Sequence, residues 1–97
     1  MFIIRDVFIA KPGSAGKLAK LMKEAAPSFG NHKITVMLDF VTNFNKIVIE
    51  HEIATLAEFE KEMEEYKKNP DPVLMEKMKG YTDLYQTGYR EIFKVVE

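Results

Sequence analysis

The chain contains no cysteine and no tryptophan, and only two of its 97 residues are histidine. The absence of cysteine excludes a disulfide framework, thiolate catalysis and cysteine-ligated zinc or iron–sulfur centres. No apolar run approaches the roughly 18–20 residues of a membrane-spanning helix. Arg5 and Asp6 interrupt the apolar amino terminus too early for a secretory signal. We therefore expect a soluble, cytoplasmic protein.

The sequence also lacks an excess of either charge, with 14 basic and 15 acidic residues. Nucleic-acid binding and attachment to an anionic membrane both need clustered lysine and arginine, so neither partner is expected. An apolar content of 46% with 11% aromatic residues excludes a disordered chain. A chain of this length forms one domain, here residues 1–97, and buries only roughly 60–65% of the surface that its open chain exposes.

Periodicity and turn residues predict the element order β-α-β-β-α-β. Strands are predicted at 2–10, 33–42, 46–54 and 90–96, with a hairpin turn at Asn43-Phe44-Asn45. The first helix starts at a Ser14 cap and stops at Pro27 and Gly30. The second starts at Thr55 and Glu58, which have capping-box spacing. It is interrupted at 69–72 and restarts with Asp71 as cap, running through Tyr81 and Tyr85 to Gly88.

This order predicts an α+β, ferredoxin-like fold. Right-handed crossovers favour a four-stranded antiparallel sheet with the first and third strands in the centre and both helices on one face. The first and last strands are apolar on both alternating sets of residues, which is typical of a sheet covered on both faces. Two helices cover one face only, so we expect a second copy of the chain to cover the other. A monomer with scattered exposed apolar side chains is the alternative.

Short motifs carry a resemblance that extends over essentially the whole chain. Arg5, the run Lys11-Pro12-Gly13-Ser14 with Lys17-Leu18, and the closing Gly88-Tyr89-Arg90-Glu91-Ile92-Phe93 resemble the NIPSNAP-like and antibiotic-biosynthesis-monooxygenase-like groups of dimeric α/β-barrel families. The resemblance implies a homodimeric barrel with a pocket between helices and sheet in each subunit. These families include cofactor-free oxygenases, haem-degrading enzymes, isomerases and ligand-sensing modules, so the fold does not choose the function.

His51 and Asp6 are the candidate catalytic residues. Strand parity places His51 with isoleucines on the helix-facing side, where a neutral imidazole can act as a base or orient a ligand. Asp6 lies inside an apolar strand, where a carboxylate is costly unless it is paired. It is expected to pair with Arg5, Arg90 or Lys94, or to act as the electrostatic partner of His51; a position at the dimer seam or a wet edge is the alternative. The alternative for His51 is a hydrogen-bonded core histidine, and His32 is expected to be exposed in a loop.

Aromatic and aliphatic side chains complete the predicted ligand pocket. Tyr81 and Tyr85 are four residues apart, so on a helix they share a face and line the cavity with hydroxyl groups. Phe8, Leu38 and Phe40 are expected to form its floor. Packing in the core is the alternative for the two tyrosines.

Asp39, Glu50 and Glu52 share the opposite strand face, but no histidine stands at ligand spacing beside them, so no metal site is predicted. Haem degradation is disfavoured because the haem-degrading relatives place a histidine on the second helix and use a tryptophan. The leading hypothesis is therefore a cofactor-independent enzyme, oxygenase-like or isomerase-like, that acts on a small hydrophobic or aromatic molecule. A non-enzymatic ligand-sensing or interaction module is the alternative. An enzyme requires a cavity of roughly 300 Å³ or more that reaches His51, whereas complete filling of that region favours the module.

Overall fold

A computed structural model describes residues 1–42 and 44–97, and Asn43 of the predicted hairpin turn lies outside them. The element order is β1 (Phe2–Ala10), α1 (Ala15–Ala25), β2 (Lys33–Leu38), β3 (Lys46–Ile53), α2 (Leu56–Lys68), α3 (Pro72–Lys77) and β4 (Tyr85–Lys94). Short 3-10 turns occupy Ala26–Phe29 and Tyr81–Asp83. All strand pairs are antiparallel and the order is β2-β3-β1-β4, which confirms the predicted fold class and the central position of β1 and β3.

The predicted caps begin two of the helices. The Thr55 hydroxyl accepts a hydrogen bond from the Glu58 backbone N–H at 3.2 Å, and the Asp71 carboxylate accepts one from the Val73 N–H at 3.0 Å. Each cap satisfies a backbone donor that the first helical turn leaves free. Ser14 precedes α1 as predicted, but its side chain makes no capping hydrogen bond.

The core lies between the helices and one face of the sheet. Ile47 on β3 is fully buried and packs with Leu18 and Met22 of α1, while Ile4 on β1 is fully buried and packs with Phe59 of α2. His51 is on this same face and is the one buried polar residue among those that the structure describes, with 2% of its surface exposed. The helix-facing parity predicted for β3 is therefore confirmed.

The predicted helix from Pro72 through Tyr85 is wrong. Helix α3 ends at Lys77, because Gly80 takes a left-handed conformation with φ of 80° that stops helical propagation. The chain then makes a 3-10 turn and enters β4 at Tyr85. Gly88 consequently lies inside β4, opposite Phe8, instead of closing a helix.

Strand β2 is also shorter than predicted, ending at Leu38 instead of residue 42. Leu38 lies at the end of an edge strand and is 49% exposed, while Phe40 lies beyond the strand and is 99% exposed. Neither side chain forms the floor of a pocket, so these two expectations are wrong. The period-two alternation of the sequence continues past Leu38, but the pairing of β2 with β3 ends at Leu38, opposite Ile47.

The described helices pack against one sheet face, and the molecule is thin, with principal extents of 36 × 35 × 17 Å. The other face is mixed in character. Val7 and Val48 are buried at its centre, whereas Tyr89 and Phe93 on β4 are about half exposed. Arg5 lies 3.6 Å from Glu50 there. Among the described residues, no helix is both long and apolar enough to cross a bilayer.

Candidate functional site

Strand register places an acid and a base opposite each other on the helix-facing side of the sheet. Asp6 of β1 pairs directly with Arg90 of β4. The arginine donates from Nε to Asp6 Oδ1 at 2.5 Å and from Nη2 to Oδ2 at 3.3 Å, which leaves Nη1 outside this two-point pair. Two parallel hydrogen bonds from one guanidinium fix the plane of the carboxylate. Asp6 is thereby held with its second oxygen directed towards β3.

His51 is the next member of the cluster. Ile4, two residues before Asp6, is its partner on β1, so His51 and Asp6 are diagonal neighbours on one face. The His51 Nε2 and Asp6 Oδ2 atoms are 3.3 Å apart. The predicted pairing of Asp6 with Arg90 and its contact with His51 therefore both exist in the structure. Whether either residue is catalytic stays a prediction.

His32 also belongs to this cluster, and the expectation that it is exposed was wrong. Its side chain is only 4% exposed. The His32 Nε2 and His51 Nδ1 atoms are 2.7 Å apart, and His32 Nδ1 hydrogen-bonds to the Glu62 carboxylate on α2. Glu62 also accepts a hydrogen bond from the Asn31 backbone N–H at 3.3 Å. We call the series Glu62–His32–His51–Asp6–Arg90 the polar chain.

Phe59 of α2 covers the polar chain from the helix side. Its ring centroid lies 5.4 Å from that of His51 and 6.1 Å from that of His32, in edge-to-face arrangements. The guanidinium carbon of Arg90 is 5.3 Å from the same ring, within cation–π range. Phe59 is itself 93% buried, since only 7% of its surface is exposed. The hydrogen bonds of His32 and His51 therefore lie in a medium of low polarity, where they are stronger than in water.

Two opposing influences set the ionisation of Asp6. Burial alone raises the pKa of this carboxyl group. The hydrogen bonds from His51 and Arg90, together with the positive charges of these partners, outweigh burial and lower the pKa of Asp6 below its ordinary value. Asp6 is therefore an ionised acceptor at neutral pH.

A cavity of about 230 Å³ opens against the polar chain between sheet and helices. It is smaller than the roughly 300 Å³ that the enzyme hypothesis requires, so this requirement is not met, but side chains do not fill the cavity either. Asp6, His51 and Arg90 form its polar wall. The remaining wall is mainly apolar and aromatic, contributed by Phe8, Met22, Phe29, Ile49, Met63, Tyr66, Met78 and Tyr81.

Phe8 and Tyr81 line the cavity, and their role in binding a ligand stays a prediction. Tyr85 instead packs behind them, with its ring 4.9 Å from that of Phe8 and 6.0 Å from that of Tyr81. The two tyrosines are neighbours because a 3-10 turn leads directly into a strand, not because they share a helix. Burial, with smaller contributions from the neighbouring Tyr85 and Tyr66, raises the pKa of Tyr81, so its hydroxyl group stays protonated and can donate.

Sequence reasoning missed His32 and Glu62. Glu62 lies three residues after the buried Phe59 and four before Tyr66, so its position on the inward side of α2 was visible in the helical period. No local pattern distinguished His32 from an ordinary loop histidine. Within residues 1–42 and 44–97, no three histidine, aspartate or glutamate side chains are arranged to hold a metal ion.

No protein-family model matches the sequence, and no curated protein matches it. The fold has clear counterparts among solved structures. A NIPSNAP family protein from Agrobacterium tumefaciens aligns with a TM-score of 0.80 at 13% identity, over 99% of this chain and 93% of its own. A NIPSNAP domain protein from Burkholderia xenovorans aligns with a TM-score of 0.81 at 8% identity, over 99% of this chain and 95% of its own. A protein from Deinococcus radiodurans provisionally assigned as an antibiotic biosynthesis monooxygenase aligns with a TM-score of 0.69 at 14% identity, over 100% of this chain and 94% of its own. The resemblance inferred from the sequence is thus confirmed for the fold, and at these identities for the fold alone.

Proposed function

We propose that the chain binds a small aromatic or hydrophobic molecule in the 230 Å³ cavity and transfers a proton to or from it through His51, without a tightly held cofactor. One observation carries this proposal: a nearly fully buried histidine stands in the wall of an apolar cavity, beside an ion pair. A histidine with a purely structural role needs hydrogen-bond partners for its two ring nitrogens, which His32 and Asp6 provide here, but it does not need an open cavity beside it.

The volume restricts the occupant. A cavity of about 150 Å³ holds benzene, so 230 Å³ accommodates one ring with a few substituents. The aromatic and methionine side chains of the wall suit an apolar ring. The polar wall suits one oxygen substituent at the rim. A single-ring ketone, phenol or enol is therefore the substrate class that fits.

The polar wall is suited to proton transfer next to such an oxygen. In this proposal His51 removes a proton from a carbon adjacent to a carbonyl group, and the negative charge passes to the carbonyl oxygen. Arg90 Nη1 and the Tyr81 hydroxyl group are the donors available to stabilise that oxygen. Return of the proton to a different carbon completes an isomerisation. An oxygenase-like reaction would share the first step and consume O₂ as its oxidant.

A ligand-sensing module is the second candidate. The observation that favours it is the cavity volume, which is below the roughly 300 Å³ usual for an enzyme pocket. A sensor would bind the same one-ring molecules but leave their C–H bonds intact. Proton exchange therefore separates the two candidates.

In either case, we propose that a second copy of the chain covers the sheet face opposite the helices. Tyr89 and Phe93 are 49% and 48% exposed there, beside the buried Val7 and Val48. Burial of such aromatic side chains in a two-fold interface is favourable by roughly 25 cal/mol per Å² of apolar surface.

Cyclohex-3-enone dissolved in D₂O tests the enzyme proposal. We expect wild type to convert it to cyclohex-2-enone and to incorporate deuterium, both of which NMR measures. His51→Gln should abolish the conversion and the deuterium incorporation. Phenol or cyclohexanone should raise the melting temperature of wild type by binding in the cavity. Met63→Trp should fill the cavity and therefore abolish both this rise in melting temperature and the reaction. The matched control is Met75→Trp, at a methionine that is 58% exposed on α3. Ligand binding that Met63→Trp abolishes, without any deuterium exchange, would favour the sensor. The absence of any binding to wild type would refute both.

A further inference from the structure

The polar chain leads from the cavity to a second, separate depression on the surface. Glu62, at its far end, lines a groove of about 290 Å³ together with Gly30, Asn31, Glu65 and Tyr66. At the other end, His51 and Asp6 line the cavity. His32 bridges the two, with one ring nitrogen directed to each side. The two depressions are thus joined by a continuous series of hydrogen bonds.

The number of protons in this series follows from its donors and acceptors. Three links connect Glu62, His32, His51 and Asp6, and each link needs one proton. Two neutral imidazoles supply only two, since each carries a single N–H group and an ionised carboxylate has none. With two protons, one link places two acceptors against each other. With a third proton, the pair of rings shares one positive charge and lies between the carboxylates of Glu62 and Asp6.

We propose that His32 and Glu62 form a proton relay that carries protons between His51 at the cavity and the outer groove. This inference rests on the proposed proton transfer at His51. In the two-proton state whose unprotonated link lies between His51 Nε2 and Asp6, Nε2 accepts a proton from the cavity, and the His51 Nδ1 proton passes to His32 Nε2. The His32 Nδ1 proton then passes to the Glu62 carboxylate, so that three bonds to hydrogen form as three break. Glu62 releases its proton to water in the groove, which breaks and forms one further bond, and one proton has left the cavity.

The surroundings favour transfer along this route. The side chains of His51 and His32 are only 3% and 4% exposed, whereas Asp6 at the cavity end is 18% exposed and Glu62 at the groove end is 15% exposed, so water reaches the ends of the series more easily than its two rings. Phe59 shields the two rings, and this low polarity strengthens the coupling between them. The groups that set the charge of the pair come from three elements: Asp6 on β1, Arg90 on β4 and Glu62 on α2.

Histidine ¹⁵N NMR tests the relay without any substrate. The signals of all four ring nitrogens are followed against pH in wild type and in Glu62→Gln. Gln can still accept a hydrogen bond but carries no charge, so the distribution of protons along the series should change. We expect the ring-nitrogen signals of His51, which Glu62 does not touch, to differ from those of wild type together with the signals of His32. Glu65→Gln, in the same groove but without a contact to His32, is the matched control and should change nothing.

A second variant distinguishes a relay from a general electrostatic effect. In a His32→Gln background the amide cannot pass a proton on, so Glu62→Gln should no longer alter the His51 signals. If Glu62→Gln does not fold, Glu62→Asp retracts the carboxylate and should likewise alter the His51 signals. His51 signals that are identical in wild type and Glu62→Gln at every pH overturn the relay. That result leaves the enone assay unaffected, so failure of the relay and failure of the proposed function are separable.

Discussion

Gly30 is the residue whose replacement should show most directly what holds the polar chain together. Its backbone has φ of 149° and ψ of −176°, a region that essentially only glycine adopts. A Cβ atom built at this position would lie 2.8 Å from Glu62 Cδ and 2.8 Å from His32 Nδ1, and closer still to a Glu62 carboxylate oxygen. Gly30→Ala therefore combines backbone strain with a collision at the link between helix and histidine.

The expected cost follows from these two contributions. Backbone strain in this region is worth about 1–3 kcal/mol. Glu62 can relieve the collision by swinging away, but it then loses a charged hydrogen bond worth about 1.5–3 kcal/mol. We expect the free energy of unfolding to fall by about 2.5–6 kcal/mol in total. That is a large part of the roughly 5–15 kcal/mol that stabilises a domain of this size.

Urea unfolding followed by circular dichroism measures this difference, with ¹⁵N NMR of His32 as a local probe. Gly16→Ala is the matched control, because Gly16 lies in α1 and nothing lies within 4 Å of its added Cβ. That variant should gain up to about 1 kcal/mol, since alanine favours helix more than glycine does. A Gly30→Ala protein within about 0.5 kcal/mol of wild type, with unchanged His32 signals, would refute the reasoning. It would mean that the link between Glu62 and His32 contributes nothing.

Two further predictions concern Asp6 and the open sheet face. The pKa of Asp6 is lowered in the folded protein, so the unfolded chain binds more protons at acidic pH and this contribution to stability is lost as pH falls below about 4. The stability difference between wild type and Asp6→Asn, measured by urea unfolding, should therefore be larger at pH 6 than at pH 3. A difference that does not depend on pH would contradict this prediction. Phe93→Asp should convert a dimer to monomer in sedimentation velocity. Ile92→Asp, at an equally exposed neighbour on the helix-facing side, should leave the dimer intact, and a monomeric wild type at micromolar concentration would remove the proposed interface.

Local chemistry was enough to predict most of the elements. The caps at Thr55 and Asp71 and the period-two pattern of β3 act between residues close in sequence, and all three are present in the structure. The predictions failed where the local sequence pattern was compatible with two different secondary structures. Tyr81 and Tyr85 have helical spacing, but the left-handed Gly80 between Lys77 and the next turn ends the helix first.

The amino-acid sequence by itself determined the α+β order, the strand parity that turns His51 towards the helices, and the central position of the first and third strands. These properties follow from periodicity and from handedness, which every short segment carries within itself. Only the tertiary structure decided that His32 and Glu62 join His51, because the links span 19 and 30 residues of sequence and depend on how α2 lies across the sheet. The same packing left Phe40 in solvent and opened a cavity beside the buried histidine.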